Sequence, residues 1–294
     1  MSKLTRYSLL LLLVIALAAC AAPPKPVDAG LEALKAGDTA KAITNLEKAV
    51  ADEPGSAQAH ILLGQAYYRS NRTNRKDDAQ KELTTGFTLD KSAGLVLDSQ
   101  DPEEFFVVGN IYSTLGTAEQ SPARFDQALK AYQKVLELKP DKAAAYTNIG
   151  VVYYQTNRLD DAIAQYQKAL SLDPKDAETQ YLLGAAYTQK QNLAEAEKAF
   201  NTALELKPEL APAYVGLGNI YLLRKDFEKA VSTLEKANSL QPNAPETLFA
   251  LGQAYEGAGR KPEAIQAFNQ FLQLNPPEPF RSQAQDHLQK LSAQ

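Results

Sequence analysis

Sulfur and imidazole are scarce in this chain of 294 residues: there is one cysteine, Cys20, one methionine, Met1, two histidines, His60 and His287, and no tryptophan. A lone thiol excludes an intramolecular disulfide, so stability has to come from packing. Two histidines far apart in the chain offer neither a metal-ligand set nor a base for a nucleophile. His60 and His287 read instead as packing residues. No phosphate-cradling glycine loop occurs, because the glycines fall inside apolar-periodic segments or at the polar breaks between them. A basic excess is missing too: 31 Lys and Arg stand against 35 Asp and Glu, net charge −4, without a sustained basic stripe. That argues against a nucleic-acid partner. The composition therefore predicts no catalytic residue, no cofactor, no metal ion and no small-molecule substrate.

What the chain has is a period. Pro140, Pro174, Pro208, Pro242 and Pro276 are spaced 34 residues apart. A glycine recurs ahead of them at Gly30, Gly64, Gly109, Gly150, Gly184, Gly218 and Gly252, and an alanine at Ala42, Ala79, Ala128, Ala162, Ala196, Ala230 and Ala264. A strict period of this length is the mark of stacked supersecondary units. Within 143–176, Tyr146, Ile149, Gly150, Tyr153 and Tyr154 keep helical spacing. Asn157-Arg158 breaks the pattern, and Ala162, Ile163, Tyr166, Ala169 and Leu170 resume it. The spacing predicts two helices of about 13 residues, near the globular average. Glycine inside a helix costs about 1 kcal/mol relative to alanine. Its recurrence predicts a close approach, with Ala162 as the expected partner of Gly150. Pro174 ends the second helix, and Asn243 and Glu246 form a capping signal for the next unit.

The order aromatic, Leu or Ile, Gly, Tyr, then Ala, aromatic, Ala and Pro resembles the tetratricopeptide repeat. Tyr214, Leu217, Gly218, Tyr221, Ala230, Ala237 and Pro242 carry it, as do Leu183, Gly184, Tyr187, Ala196, Phe200, Ala203 and Pro208. Seven units follow: 23–56, 57–93, 102–142, 143–176, 177–210, 211–244 and 245–278. The resemblance implies an all-α fold, a right-handed α-solenoid of about seven helical hairpins over residues 27–278, closed by a capping helix within 279–294. Phe280, Ala284, Leu288 and Leu291 form the apolar face of that helix.

Three units depart from the pattern. The first has Pro26 where an aromatic is usual, so a shortened and frayed first helix is expected. Unit 57–93 has Lys91 in place of the proline and three extra residues in its turn. Unit 102–142 has seven extra residues within Thr117 to Arg124, between Gly116 and its second helix, and 94–101 is a spacer. These irregularities predict a soft region between residues 70 and 125.

Lys3 and Arg6 precede the apolar run Leu9–Ala19, too short to span a bilayer comfortably. Residues 1–19 read as a secretory signal peptide, and Leu17-Ala18-Ala19-Cys20 resembles the lipobox of bacterial lipoproteins. The resemblance implies cleavage before Cys20, lipid on its sulfur and amine, and, with Ala21 next, an outer-membrane destination facing the periplasm. Residues 20–26 then form the lipidated cysteine and a proline-rich, stiff tether. Removing Lys3 and Arg6 leaves 29 basic against 35 acidic residues, a balance of −6 for the mature chain.

Binding is the expected role. In tetratricopeptide arrays the first helix of each repeat lines the groove. The matching positions select Tyr68, Phe106, Asn110, Thr147, Val151, Tyr154, Tyr181, Val215, Asn219, Leu222 and Phe249 as candidate groove residues for a protein or peptide segment, with Glu103, Glu178 and Glu246 at the rim. Lys and Arg are nearly absent there, which disfavours capture of a carboxylate terminus. Two roles remain open: an envelope assembly factor, similar to the pilotin-like lipoproteins of type IV pilus secretins, or an adaptor for a periplasmic hydrolase, protease or polymer-export machine.

Overall fold

The structure, a computed structural model, describes residues 24–70, 75–94 and 100–293. The segment read as a signal peptide, Cys20 and the start of the expected tether lie outside the described residues. By internal packing the chain forms two compact units, which divide between Ile111 and Tyr112. Among the described residues every regular element is an α-helix.

The first unit holds α1 (Pro26–Lys35), α2 (Thr39–Asp52), α3 (Ala57–Arg69), α4 (Lys76–Leu89) and the N-terminal part of α5 (Pro102–Glu119). The second holds the rest of α5, then α6 (Pro122–Leu138), α7 (Ala143–Gln155), α8 (Leu159–Leu172), α9 (Ala177–Gln189), α10 (Leu193–Leu206), α11 (Ala211–Leu223), α12 (Phe227–Leu240), α13 (Pro245–Gly257), α14 (Lys261–Gln273) and α15 (Phe280–Ala293). In the hairpins α1–α2, α3–α4, α7–α8, α9–α10, α11–α12 and α13–α14 the partners pack most closely on one another, and α2, α6, α8, α10 and α12 each pack on the first helix of the next hairpin. First helices also meet directly, α7 with α9, α9 with α11 and α11 with α13.

Several helix ends fall where the sequence puts them, but Asn243 does not cap α13: it lies outside the helix at φ 61°, Ala244 holds the N-cap place and no side-chain hydrogen bond caps it. Asp38, Ser56 and Asp176 accept hydrogen bonds from the backbone N–H groups of Lys41, Ala59 and Thr179, the N-cap arrangement that satisfies orphan donors. Asn157, Gln191, Lys225 and Gly259 end successive first helices with φ between 58° and 75°. Behind each, the next N–H reaches back to a carbonyl of the last turn: Arg158 to Tyr153 at 2.8 Å, Asn192 to Tyr187 at 2.9 Å, Asp226 to Tyr221 at 2.9 Å and Arg260 to Tyr255 at 2.8 Å. These are Schellman closures, one in each of the four units from 143 to 278.

The recurrent glycines do mark close approach, with a different partner from the one expected. A Cβ at Gly150 would lie 2.5 Å from the Tyr166 ring, at Gly184 2.7 Å from Phe200, at Gly218 2.5 Å from Leu234 and at Gly252 2.5 Å from Phe268. The glycine makes room for the large residue one turn beyond the alanine, while Ala162, Ala196, Ala230 and Ala264 are fully buried. A ring needs the missing side chain more than a methyl group does.

Unit 102–142 corrects a second expectation. Its extra residues do not form a long loop. Helix α5 runs for 18 residues and α6 for 17, against 13 and 14 for α7 and α8, and only Gln120 and Ser121 separate them. Gly116 sits against Phe125, 2.8 Å from the position of its missing Cβ, so the added length continues the same packing. At the N-terminal end α1 has 10 residues. It is nonetheless packed, with Ala33 and Leu34 buried and Gly30 against Leu46.

The closing helix α15 buries Ala284 and Leu291 against Phe268 and Phe271 of α14. His287 stacks on Phe268 with ring centroids 4.9 Å apart and lies 2.5 Å from Glu256. His60 is buried between the Glu82 carboxylate at 2.6 Å and the Pro54 carbonyl at 2.9 Å. Both histidines are used in packing.

Candidate binding groove

The first helices α7, α9, α11 and α13 pack in succession and, with Phe200 of α10, line a common cleft. Its volume is about 510 Å³, within the range typical of ligand sites, roughly 300–1,000 Å³. Tyr154, Tyr181, Val215 and Asn219 of the predicted set line it together, with Ala185 and Thr188 from the same faces. Rim residue Glu246 lines it as well.

The tyrosines are only partly free. Tyr181 packs on Phe200 with centroids 5.9 Å apart and a 39° tilt, and Tyr154 packs against the core around Ala162 and Tyr166. Burial raises the Tyr181 hydroxyl pKa, helped by the neighbouring Tyr154 and by the negative charges of Glu178 and Glu246. Each tyrosine is therefore half-buried, one side in the core and one in the cleft.

Two predicted groove residues belong elsewhere. Thr147 is only 9% exposed, and its hydroxyl pairs with that of Thr179 at 2.8 Å. A polar residue on a first helix can bridge to the next first helix as readily as face a ligand, and Thr179 completes the bridge through Asp176 at 2.6 Å. Phe249 sits in an aromatic cluster with Phe268, Phe271, Phe280 and His287, with centroids 4.9–6.3 Å apart across the group. The closing helix occupies the face that a partner would need.

Val151 packs beside Tyr154 on the same core. Leu222 lines a separate hollow with Asn219, Gln253 and Glu256. Tyr68, Phe106 and Asn110 lie in the first unit and are half-buried. There burial, then the charges of Asp101, Glu103 and Glu104, raise the Tyr68 pKa, and buried Glu104 accepts a hydrogen bond from the Gln65 amide at 3.0 Å.

Sequence reasoning missed the residues that floor the cleft. Phe200, Pro212 and Gly216 line it, with Gln241 and Ala244 from the connection that precedes α13. A Cβ at Gly216 would lie 2.5 Å from Phe200, so that glycine clears the floor over the ring. A second glycine, two residues before the periodic Gly218, was the signal that could have found it.

Models of the tetratricopeptide repeat match residues 27–81, 175–243 and 209–275, and a TPR-repeat model matches 124–157 and 152–191. The chain is built of tetratricopeptide repeats. Three solved structures are similar. MamA is 31% identical over 54% of this chain and 93% of its own, with a TM-score of 0.48. The APC/C hetero-tetramer Cut9–Hcn1 is 19% identical over 95% of this chain and 50% of its own, at 0.58. A thermophilic TPR protein of Thermus thermophilus is 22% identical over 64% of this chain and 99% of its own, at 0.51. The last two show a shared fold. No curated protein sequence matches the chain. Tetratricopeptide repeats indicate a scaffold for protein–protein interaction.

Proposed function

We propose that this chain is a lipid-anchored scaffold of the bacterial envelope whose second unit captures an extended segment of a partner protein. The observation that carries the reading is the cleft on α7, α9, α11 and α13, where aromatic faces and amides occur side by side. Amides such as Asn219 can bond to a peptide backbone while Tyr154 and Tyr181 cover its side chains. The anchor is Cys20, proposed from the lipobox resemblance, with the outer membrane facing the periplasm as the destination. Assembly of an envelope machine, of which a type IV pilus secretin is the instance favoured by the likeness to pilotin-like lipoproteins, is the role we propose for such a scaffold.

The test is capture from detergent-solubilised envelopes, with partners identified by mass. Asn219→Trp fills the cleft from an exposed position without disturbing the core. We expect that variant to lose the partner that the parent and an exposed second-helix control, Lys198→Ala, both retain. Undiminished capture by Asn219→Trp would move binding off this cleft.

A further inference from the structure

The charge of the cleft is one-sided. Glu246 is the sole charged residue among those lining it, and none is basic. Glu178, exposed in the first turn of α9, also acts on Tyr181. Glu178 and Glu246 thus both bear on Tyr181, which shares the cleft lining with Tyr154 and Glu246. Asn219 and Gln241 line the same cleft with uncharged amide groups. An acidic segment would meet these carboxylates with no lining cation to compensate, and like charges across an interface disfavour binding. A cation would be drawn both by the carboxylates and by the aromatic faces, whose quadrupoles attract ammonium and guanidinium groups. Because Glu246 and Glu178 are exposed, they hold such a cation without the desolvation cost of a buried ion pair.

Resting on the groove reading above, we propose that the cleft recognises one lysine or arginine side chain of an otherwise uncharged extended segment, seated against Tyr154 and Tyr181 and met by Glu246. The cleft's size suits a short stretch of chain, a few residues on either side of the cation. Specificity then comes from two sources: attraction for the basic residue, and repulsion of acidic segments.

The probe is an array of immobilised synthetic nonapeptides of random sequence, exposed to the full chain. Bound sequences should be enriched in Lys or Arg at one position and depleted of Asp and Glu beside it. The strongest arginine peptide is then measured in solution by calorimetry. Citrulline, which keeps the shape of arginine without its charge, should bind about five- to tenfold more weakly. Glu246→Gln should weaken the arginine peptide by roughly threefold and leave the citrulline peptide unchanged, and added salt should weaken only the former. Equal affinity for the arginine and citrulline peptides, or enrichment of acidic residues, overturns the inference. If bound peptides lack a basic preference yet are lost on Asn219→Trp, the groove reading stands and the cation inference falls. If they persist on Asn219→Trp, or if no peptide binds, both fall.

Discussion

Phe200 is held between two residues that have no side chains. Gly184 of its own hairpin approaches one edge of the ring and Gly216 of the next hairpin another, with missing Cβ positions 2.7 and 2.5 Å away, and the ring is 2% exposed. Alanine at 184 would gain about 1 kcal/mol of helix propensity, but forcing a methyl group against a fixed ring costs about 1–3 kcal/mol. We expect Gly184→Ala to lower stability by about 1 kcal/mol in denaturant unfolding, and Phe200→Leu in that background to recover part of it. A Gly184→Ala variant more stable than the parent would mean that the ring yields. The 34-residue period made Gly184 legible as a contact point, but not its partner. Period identifies positions that need little volume without saying which side chain fills the space.

A second residue-scale test concerns pH. The Tyr67 and Tyr255 hydroxyls donate to Glu47 and Glu235, each at 2.8 Å. Burial, then those hydrogen bonds, pushes both pKa values up from 10.0 to about 12. Between pH 10 and 12 the unfolded chain loses these protons while the folded chain keeps them, so stability present below pH 10 falls as pH rises through that window. Melting temperatures measured from pH 9 to 12 should decline, and Tyr255→Phe, which has no proton to lose, should flatten the decline. An unchanged slope would remove this tyrosine from the alkaline transition.

At the scale of the element, the closure of each first helix decides how tightly the hairpin turns. Asn157 and Gly259 suit a positive φ. Gln191 and Lys225 adopt φ values of 61° and 60° at a cost of about 1–2 kcal/mol for an L-residue with a Cβ. Replacing Lys225 with glycine relieves that strain and loosens the unfolded chain by a smaller amount, about 0.4–1 kcal/mol. We expect Lys225→Gly to be more stable by about 0.5 kcal/mol and Gly259→Ala to be less stable by about 1 kcal/mol. Opposite signs at equivalent positions would confirm the turn geometry by thermal melting, and matching signs would refute it. The break at Asn157-Arg158 was legible because Asn tolerates this conformation. The ends of α5 and α6 were not. Thr117 to Arg124 contains Ser121 and Pro122, which read as loop residues, yet proline at the first position of a helix is favourable, and here it starts α6. Amides of Gly116 to Glu119 should therefore exchange as slowly as those at the end of α7, in contrast to the soft turn that the extra residues suggested.

For the whole molecule, the fold was legible because four consecutive units from 143 to 278 repeat the same instruction, and nearest-neighbour packing needs little more. The cleft was only half legible. Repeats specify which face a residue occupies, but Thr147 and Phe249 show that a neighbouring helix can claim that face first. The partner's identity was not legible, since a period encodes the stack and not its ligand. No helix among the described residues is long and apolar enough to cross a bilayer, and the attachment proposed above is argued from the N-terminal residues alone. Under the lipoprotein reading, several acyl chains on Cys20 supply the affinity that one chain alone does not. Cys20→Ser removes the site of attachment and leaves all 15 described helices untouched. That variant should keep its circular dichroism and melting curve, because Cys20 precedes the first described helix, α1 (Pro26–Lys35). It should also leave the lipid-anchored pool, appearing in the soluble fraction or held at the inner membrane with its leader uncleaved. Metabolic labelling with a palmitate analogue separates the two halves of the argument. A parent that takes up label and a variant that does not establish the anchor. A variant that stays in the outer membrane without label, after the captured partner has been removed, would show that something other than lipid holds the chain there.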